Sequence, residues 1–375
     1  MSAESPLASP LPAPERVQGD GAQVVLLDGG AEAYPRMLEA IAGATRRVHL
    51  EVYTFEREGV GSHFVAALEA AAQRGVEVKV MVDGWGSMGD SGALTSTLQA
   101  AGATVRVYNP LTSLFTGRAW RNHRKILLVD ERVAFIGGIN IGDAYRGAEG
   151  EPGWADLVLE LSGDICTQLG AKLYSGRVEL TSGSVRLQLS GWGGGRRLRH
   201  RYIEAIHRAR HQVVLAHAYF LPDKAFMRAL TQAARRGVAV HLLLAGRSDV
   251  PFARAATMRL YRYFLQGGVH IHEWMDSTLH AKAAVVDGTR LLVGSFNLDP
   301  LSLVNLETLV DVEDKSVAAQ ALVWLEKHMG GARPVLLSEC SRTGLQAWLL
   351  DILGLAGARL AEAFASFIGR RRRRR

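Results

Sequence analysis

The chain has 375 residues, 48% hydrophobic and 22% charged, a globular composition long enough for two domains that excludes collagen, coiled coil and wholesale disorder. Of its net charge of +7, six arginines sit at 370–375, so the rest of the chain carries only +1, and the basicity describes a tail rather than a face built for nucleic acid. Two cysteines, Cys166 and Cys340, make neither a disulfide framework nor a zinc ligand set, which suits a reducing cytosol.

From the N-terminus, residues 1–16 are rich in Pro, Ala and Ser without a basic or apolar core, and read as a disordered arm rather than a signal peptide. The chain then repeats itself. Glu39-Ala40-Ile41 returns as Glu204-Ala205-Ile206 and Phe55 as Phe220, Arg74-Gly75-Val76 as Arg236-Gly237-Val238, and the offset shrinks from 165 to 162 and then 157 along the chain. Each copy holds an apolar strand (48–55; 213–220), a helix (62–74; 224–236) and a second strand (76–82; 238–244). Gly75 and Gly237 mark the helix ends. This βαβ rhythm predicts an α/β fold of two tandem halves related by a pseudo-twofold, each an α/β/α sandwich with helices on both sheet faces. The first half is expected over 17–185 and the second over 186–335, with the Gly-rich stretch 191–195 as the linker region. Loops at 83–92, 109–120 and 249–262, which include Trp85, Met88, Leu114, Phe115 and Trp120, carry aromatic and apolar side chains that either pack under their own loops or stand exposed for contact.

The chemistry lies in a doubled motif. His123-Arg-Lys125-x4-Asp130-x6-Gly137-Gly138-x-Asn140 in the first copy matches His280-Ala-Lys282-x4-Asp287-x6-Gly294-Ser295-x-Asn297 in the second, with identical spacing. Residues two apart on a strand share a face, so each His projects with its Lys, and the apolar runs that follow are buried strands. A lone His beside a Lys is usually a surface pair; two matched copies are not. Two imidazoles, two ammonium groups and two carboxamides suit phosphoryl transfer, in which one His attacks phosphorus, the other protonates the departing oxygen and the cations hold the nonbridging oxygens. Neither a Walker A loop nor an Asp-rich magnesium cluster nor a zinc ligand set is present in the sequence, and no cofactor or metal is expected.

The doubled motif resembles the phospholipase D superfamily over residues 17–330. That resemblance implies His123 as the nucleophile forming a phosphohistidine and His280 as general acid, with the order of the two left open by the near-symmetry. It implies that Lys125, Lys282, Asn140 and Asn297 bind phosphate oxygens, Gly138 and Ser295 supporting them, and that Asp130 and Asp287 are structural members of the motif. Each imidazole needs an acceptor on its second nitrogen, and Asp156 and Glu307 resemble the carboxylates the superfamily places after each motif. Flanking segments, Arg121 to Ile126, Tyr219-Phe220-Leu221-Pro222-Asp223 and Asn297-Leu298-Asp299-Pro300-Leu301-Ser302, are similar to those of short (B-type) bacterial cardiolipin synthases that lack an N-terminal membrane hairpin. The implied reaction takes two phosphatidylglycerol molecules to cardiolipin and glycerol, at the cytoplasmic face of a bacterial membrane. Leu301 departs from the pattern, standing where many members carry an arginine.

Residues 336–375 close the chain. Leu345, Trp348, Leu349, Ile352, Leu353, Leu360, Phe364 and Phe367 fall on one arc of a helical projection, too interrupted by Asp351, Arg359 and Glu362 to span a bilayer. An amphipathic helix followed by the arginines of 370–375 implies an anionic membrane surface as partner, each arginine adding about 1 kcal/mol. The competing readings are a phospholipase D-type hydrolase, in which water resolves the intermediate, and a nuclease that uses the arginine tail; the near-neutral body disfavours nucleic acid.

Overall fold

The computed structural model describes residues 21–110, 112, 120–147 and 151–340. The expected N-terminal arm, Leu114 and Phe115, and the C-terminal helix with its arginines lie outside the described residues. The first half runs β1 (Gln23–Asp28), α1 (Gly29–Ala42), β2 (Arg47–Val52), α2 (Val60–Gln73), β3 (Glu77–Asp83), α3 (Ser91–Ala100), β4 (Thr104–Tyr108), β5 (Ile126–Val129), β6 (Val133–Gly137), α4 (Asp143–Arg146), β7 (Leu157–Ser162) and α5 (Asp164–Lys172). The second runs β8 (Val178–Ser182), β9 (Val185–Leu189), α6 (Gly195–Arg208), β10 (Gln212–His217), α7 (Lys224–Arg235), β11 (Ala239–Ala245), α8 (Pro251–Met258), α9 (Tyr261–Gln266), β12 (His270–Trp274), β13 (Lys282–Val286), β14 (Arg290–Gly294), β15 (Thr308–Val312), α10 (Lys315–Gly331) and β16 (Arg333–Pro334).

The two sheets have the same internal order. The first reads β1-β7-β6-β5-β2-β3-β4; the second contains β12-β11-β10-β13-β14-β15-β9 and adds β16 and β8 at its edges. In each, three strands joined through helices are parallel, and the strands after them run antiparallel. The helices end where expected: Gly75 and Gly237 take φ of 87° and 88°, a left-handed turn that a side chain would strain.

Two features depart from the sequence reading. The division at 185/186 falls too late, because the hairpin of β8 and β9 belongs to the second sheet, where β9 pairs with β15 as β1 pairs with β7. The Gly-rich stretch after it leads into α6 rather than separating the halves. Helices also do not cover both faces alike. Outward, α1, α2 and α3 pack on the first sheet, and α6, α7 and α9 on the second. Inward, one shared core joins residues of β1, β5, β6, β7 and α5 to β8 through β11, β13 through β15 and α10. Parallel strands are hydrophobic on both faces, and here the inner face is buried mainly by the other half. Trp324 of α10 is fully buried and donates to Asp28 at the end of β1, 2.7 Å away. Among the described residues, no helix is long and apolar enough to cross a membrane.

Candidate active site

The motif residues meet where the halves touch. His123 and His280 lie just ahead of β5 and β13. Two isolated bridges, Asn122 to Leu306 and Ala155 to Leu279, stitch these segments to the other half. The consequence is an exchange of partners. His123 Nδ1 lies 3.0 Å from Glu307 Oε2, and His280 Nδ1 lies 2.7 Å from Asp156 Oδ2. Each imidazole is thus held by a carboxylate of the opposite half, not by the one that follows its own motif in the chain. With Nδ1 committed as donor, Nε2 of each ring carries the lone pair or the transferable proton.

The Gly-Gly and Gly-Ser pairs explain how two different carboxylates fit. A Cβ at Gly138 would stand 2.3 and 2.4 Å from the Asp156 oxygens, so only glycine leaves the shorter acid in place. Ser295, the matching position, donates its hydroxyl to Glu307 Oε2 at 2.6 Å and accepts from the Thr308 N–H at 2.9 Å. One pocket seats its acid by space, the other by a hydroxyl.

The lysines reach back over their own histidines. Lys125 Nζ donates to the His123 carbonyl at 2.8 Å. Lys282 Nζ donates to the His280 carbonyl and lies 3.0 and 3.2 Å from the two nitrogens of that ring. All four residues are shielded from water, and burial dominates their protonation. It lowers Lys125 to about 7 and Lys282 to about 8, and raises Asp156 to about 7 and Glu307 to about 8. Burial, reinforced by both lysines, holds His123 and His280 well below the ordinary imidazole range. In this state both rings are neutral, and the two lysines, whose charges repel, are each only partly protonated near neutral pH. A phosphodiester anion arriving between them would relieve that repulsion and restore full charge to both ammonium groups.

Asp130 and Asp287 sit at the far ends of β5 and β13, about 16 Å along the strand from the lysines. Both take φ of 52°. The Asp130 carboxylate accepts from the N–H groups of Thr45, Arg46 and Arg47, and that of Asp287 from those of Arg210, His211 and Gln212. They tie each motif strand to the start of β2 or β10. The two asparagines differ. Asn140 is taken up within its own half, its Oδ1 accepting from Thr54 N–H at 3.1 Å and its Nδ2 donating to the Tyr145 hydroxyl at 2.6 Å. Asn297 is buried and its Oδ1 finds no partner among the described residues.

Sequence reasoning missed a ring of supporting side chains. Tyr53 stands edge-on to His123 and its ring lies 5.4 Å under Lys125 Nζ; Tyr145 and Trp154 pack against His280. Behind His123, the neighbours that point away from the site form a buried polar network. The Asn122 N–H donates to Asp83 at 2.8 Å, while Arg124 lies 3.7 Å from Glu51 and donates to the carbonyls of Gly176 and Ser190. Glu51 also stands 3.3 Å from His49. The only signal for this network is polar residues at 49 and 51 in an otherwise apolar strand. Around the opening, Trp85, Met88, Val250 and Leu301 are exposed, on loops that follow β3, β11 and β14, and the Arg121 guanidinium lies 5.1 Å over the Trp85 ring.

Comparison with known proteins identifies the family. The family described as "Cardiolipin synthase, PLD-like domain" matches residues 37–151 and 202–329. Cardiolipin synthase B of Escherichia coli (strain K12) is 35% identical over 321 residues, which cover 79% of this chain and 78% of that one. Cardiolipin synthase 1 of Staphylococcus epidermidis (strain ATCC 12228) is 29% identical over 331 residues, 82% of this chain and 68% of that one. Among solved structures, the phosphatidylserine synthase of Haemophilus influenzae Rd KW20 superposes with a TM-score of 0.74 at 13% identity, covering 92% of this chain and 96% of that one, a likeness of fold alone.

Proposed function

Since the chain belongs to the cardiolipin synthase family with phospholipase D-like domains, an enzyme family of the phospholipid phosphatidyltransferase kind, we propose that it joins two phosphatidylglycerol molecules into cardiolipin and glycerol through a phosphohistidine. The observation that carries the mechanism is the pair of exchanged His–carboxylate contacts between two lysines. His123, whose side chain is 13% exposed against 5% for His280, is the more reachable nucleophile. Its Nε2 attacks phosphorus, and the bond from phosphorus to the glycerol oxygen breaks. With the diester anion bound, His280 stands as the imidazolium that Asp156 holds, so its Nε2 gives that oxygen its proton and glycerol leaves. The terminal hydroxyl of the second phosphatidylglycerol then gives its proton to His280 and attacks the phosphohistidine. Cardiolipin departs and His123 is free again. Lys125 and Lys282 hold the nonbridging oxygens throughout, where charge builds in each transition state.

Transfer demands that an alcohol outcompete water. The exposed Trp85, Met88, Val250 and Leu301 support a site that works pressed against a lipid surface, with the enzyme peripheral to the cytoplasmic side of the membrane and the arginines of 370–375 adding attraction to anionic lipid. Leu301 adds apolar surface to that face.

The test is to incubate the purified protein with phosphatidylglycerol vesicles in EDTA and to analyse the lipids by mass spectrometry, with His123→Ala alongside. Cardiolipin formed by the intact enzyme alone is the expected result. Phosphatidic acid as sole product would reassign it as a hydrolase, and absence of any lipid product would refute the substrate.

A further inference from the structure

The two halves are alike in backbone but not in what stands behind their lysines. In the second sheet His217 of β10 is directly opposite Lys282 of β13. In the first, the ladder pairs Glu51 with Ile126, so one step further on Val52 stands opposite Lys125. Tyr202 of α6 corresponds in the repeat to Met37 of α1, both at the offset of 165. Val52 and Met37 are ordinary core residues. Tyr202 and His217 are buried in the equivalent layer, their rings 5.6 Å apart and edge-on. Among the described residues the Tyr202 hydroxyl and both His217 nitrogens have no hydrogen-bond partner, and neither has Oδ1 of Asn297, the asparagine of the same half. Thus an apolar pair in one half is replaced by a polar pair in the other, and the polar atoms are left unpaired.

Such atoms cost stability wherever they serve nothing, and a valine and a methionine demonstrably fill the same layer of this fold. Their placement suggests what they serve. Directly opposed residues of an antiparallel pair bring their Cβ atoms to about 5 Å, so the His217 ring lies along the stem of Lys282. Burial keeps that ring neutral, pushing it down to about 3. A neutral imidazole offers one lone pair and a phenol another, and either can face an ammonium group directly or through one bound water. A buried ammonium beside such dipoles is less costly than one beside methyl groups. Burial lowers both lysines, Lys282 to about 8, where Asp156 and Glu307 raise it, and Lys125 to about 7.

We propose that His217 and Tyr202 are positioning residues for Lys282, a polar cell present in the second half only, which makes Lys282 the standing cation for the phosphate while Lys125 is charged chiefly when substrate is bound. The proposal rests on the reading of this site as one of phosphodiester transfer. Lys282 is faced by His280 beside it, by Asp156, Lys125 and His123 from the first half, and by Glu307, Asp249 and Asp299 from its own. Of these groups, Glu307 is also a charged neighbour of the Tyr202 hydroxyl.

The experiment compares His217→Val, which installs the first half's residue, with His217→Asn and Tyr202→Phe in the full chain. Turnover is followed across pH on phosphatidylglycerol in mixed micelles and on bis(p-nitrophenyl) phosphate, a diester without a lipid headgroup. His217→Val is expected to lower kcat about tenfold with KM within about twofold, and to move the alkaline limb of kcat to lower pH, since Lys282 then loses its proton more readily. Its melting temperature should hold or rise. His217→Asn should regain most of the rate, and Tyr202→Phe, which removes one hydroxyl from an otherwise unchanged ring, should move the limb in the same direction by less. A wild-type kcat and pH profile in His217→Val would overturn the proposal. So would a loss of rate that His217→Asn fails to restore and that tracks a fall in melting temperature, because that marks a packing role. Should His217→Val not fold, Tyr202→Phe decides alone: an unmoved limb refutes the polar cell. A wild-type enzyme active on the chromogenic diester but inert on phosphatidylglycerol would sink the substrate reading while leaving this comparison intact.

Discussion

Replacing each exchanged carboxylate by its amide should separate two effects that are usually confounded. Asp156 uses both oxygens as acceptors: Oδ2 for His280 Nδ1 at 2.7 Å and Oδ1 for the Leu157 N–H at 2.8 Å. An asparagine there must turn its NH2 toward one donor or the other. The orientation that keeps the backbone bond sets NH2 against His280 Nδ1, which then must be the unprotonated nitrogen, and the proton moves to Nε2 in the wrong step of the cycle. A carboxylate-to-amide change that inverts the tautomer costs about 10⁴ in kcat in the serine-protease triad, or about 5.4 kcal/mol of barrier. Glu307 is different. Its Oε2 accepts from both His123 Nδ1 and Ser295 Oγ, while Oε1 has no partner among the described residues. A glutamine can therefore keep its carbonyl at the shared position, with its NH2 taking the place of Oε1, which no donor needs. The tautomer survives and only the charge is lost, for about 10² in kcat, or about 2.7 kcal/mol. Single-turnover and steady-state cardiolipin formation by Asp156→Asn and Glu307→Gln, with melting curves to confirm folding, give the comparison. If Glu307→Gln proves the more damaged of the two, the assignment of hydrogen-bond roles is wrong.

Other expectations follow from the same geometry. His123→Ala and His280→Ala should each reduce turnover more than 10³-fold while retaining the fold, because groups acting as one unit are not additive; appreciable rate in either, measured as cardiolipin formed, would exclude a two-histidine mechanism. Gly138→Ala should displace Asp156, whose oxygens lie 2.3 and 2.4 Å from the new Cβ, and cost at least tenfold in kcat and about 1–3 kcal/mol of stability, whereas Gly92→Ala, with no atom within 4 Å of its Cβ, should leave both unchanged; kinetics with urea titration distinguishes them. Trp85→Ser combined with Met88→Ser should weaken flotation with anionic vesicles and slow turnover on them, with activity on a soluble short-chain lipid preserved, and equal loss on both substrates would place these side chains in the chemistry instead. Deleting residues 370–375 should lower vesicle binding in a salt-dependent way, and unchanged flotation would rule out the arginine tail as an anchor.

Much of the architecture was legible because duplication prints it twice. The strand, helix and glycine of each βαβ unit recur at nearly constant offset, and β2, α2, β3 and their partners lie within a few residues of the expected spans. What the repeat could not show is what each copy lends the other. The contact of His123 with Glu307 spans 184 residues and that of His280 with Asp156 spans 124; neither separation leaves a local pattern, and chain order suggests the opposite pairing. The first strand of each half was missed for a related reason. β1 and β9 hold equivalent positions beside β7 and β15, with little identity between them. The Gly-rich stretch after β9 looked like a boundary because glycine marks turns equally well inside a half as between halves. Polar residues in β2 and β10 carried information that apolar periodicity discards. His49 and Glu51 mark the support behind His123, and His217 marks the asymmetry behind Lys282.

The exchange of carboxylates also gives the shared core a chemical meaning. Each half brings a histidine and a lysine and withholds the acid its own histidine needs, so the first half alone would present His123 without Glu307 and Asp156 without His280. Those contacts are held by the bridges Asn122 to Leu306 and Ala155 to Leu279, which stand at the rim of the inward core joining β6, β7 and α5 to β14, β15 and α10. A side chain within that core, remote from either imidazole, sets the distance between two pairs whose bonds are 3.0 and 2.7 Å long, and a displacement of 1 Å at reacting atoms can cost about 10² in rate. Close packing transmits such a shift rather than absorbing it. On the proposed mechanism the interface between the halves is part of the catalytic machinery, and the tolerance of its apolar residues to substitution should be narrower than that of the apolar residues in the outward cores, which chiefly position helices.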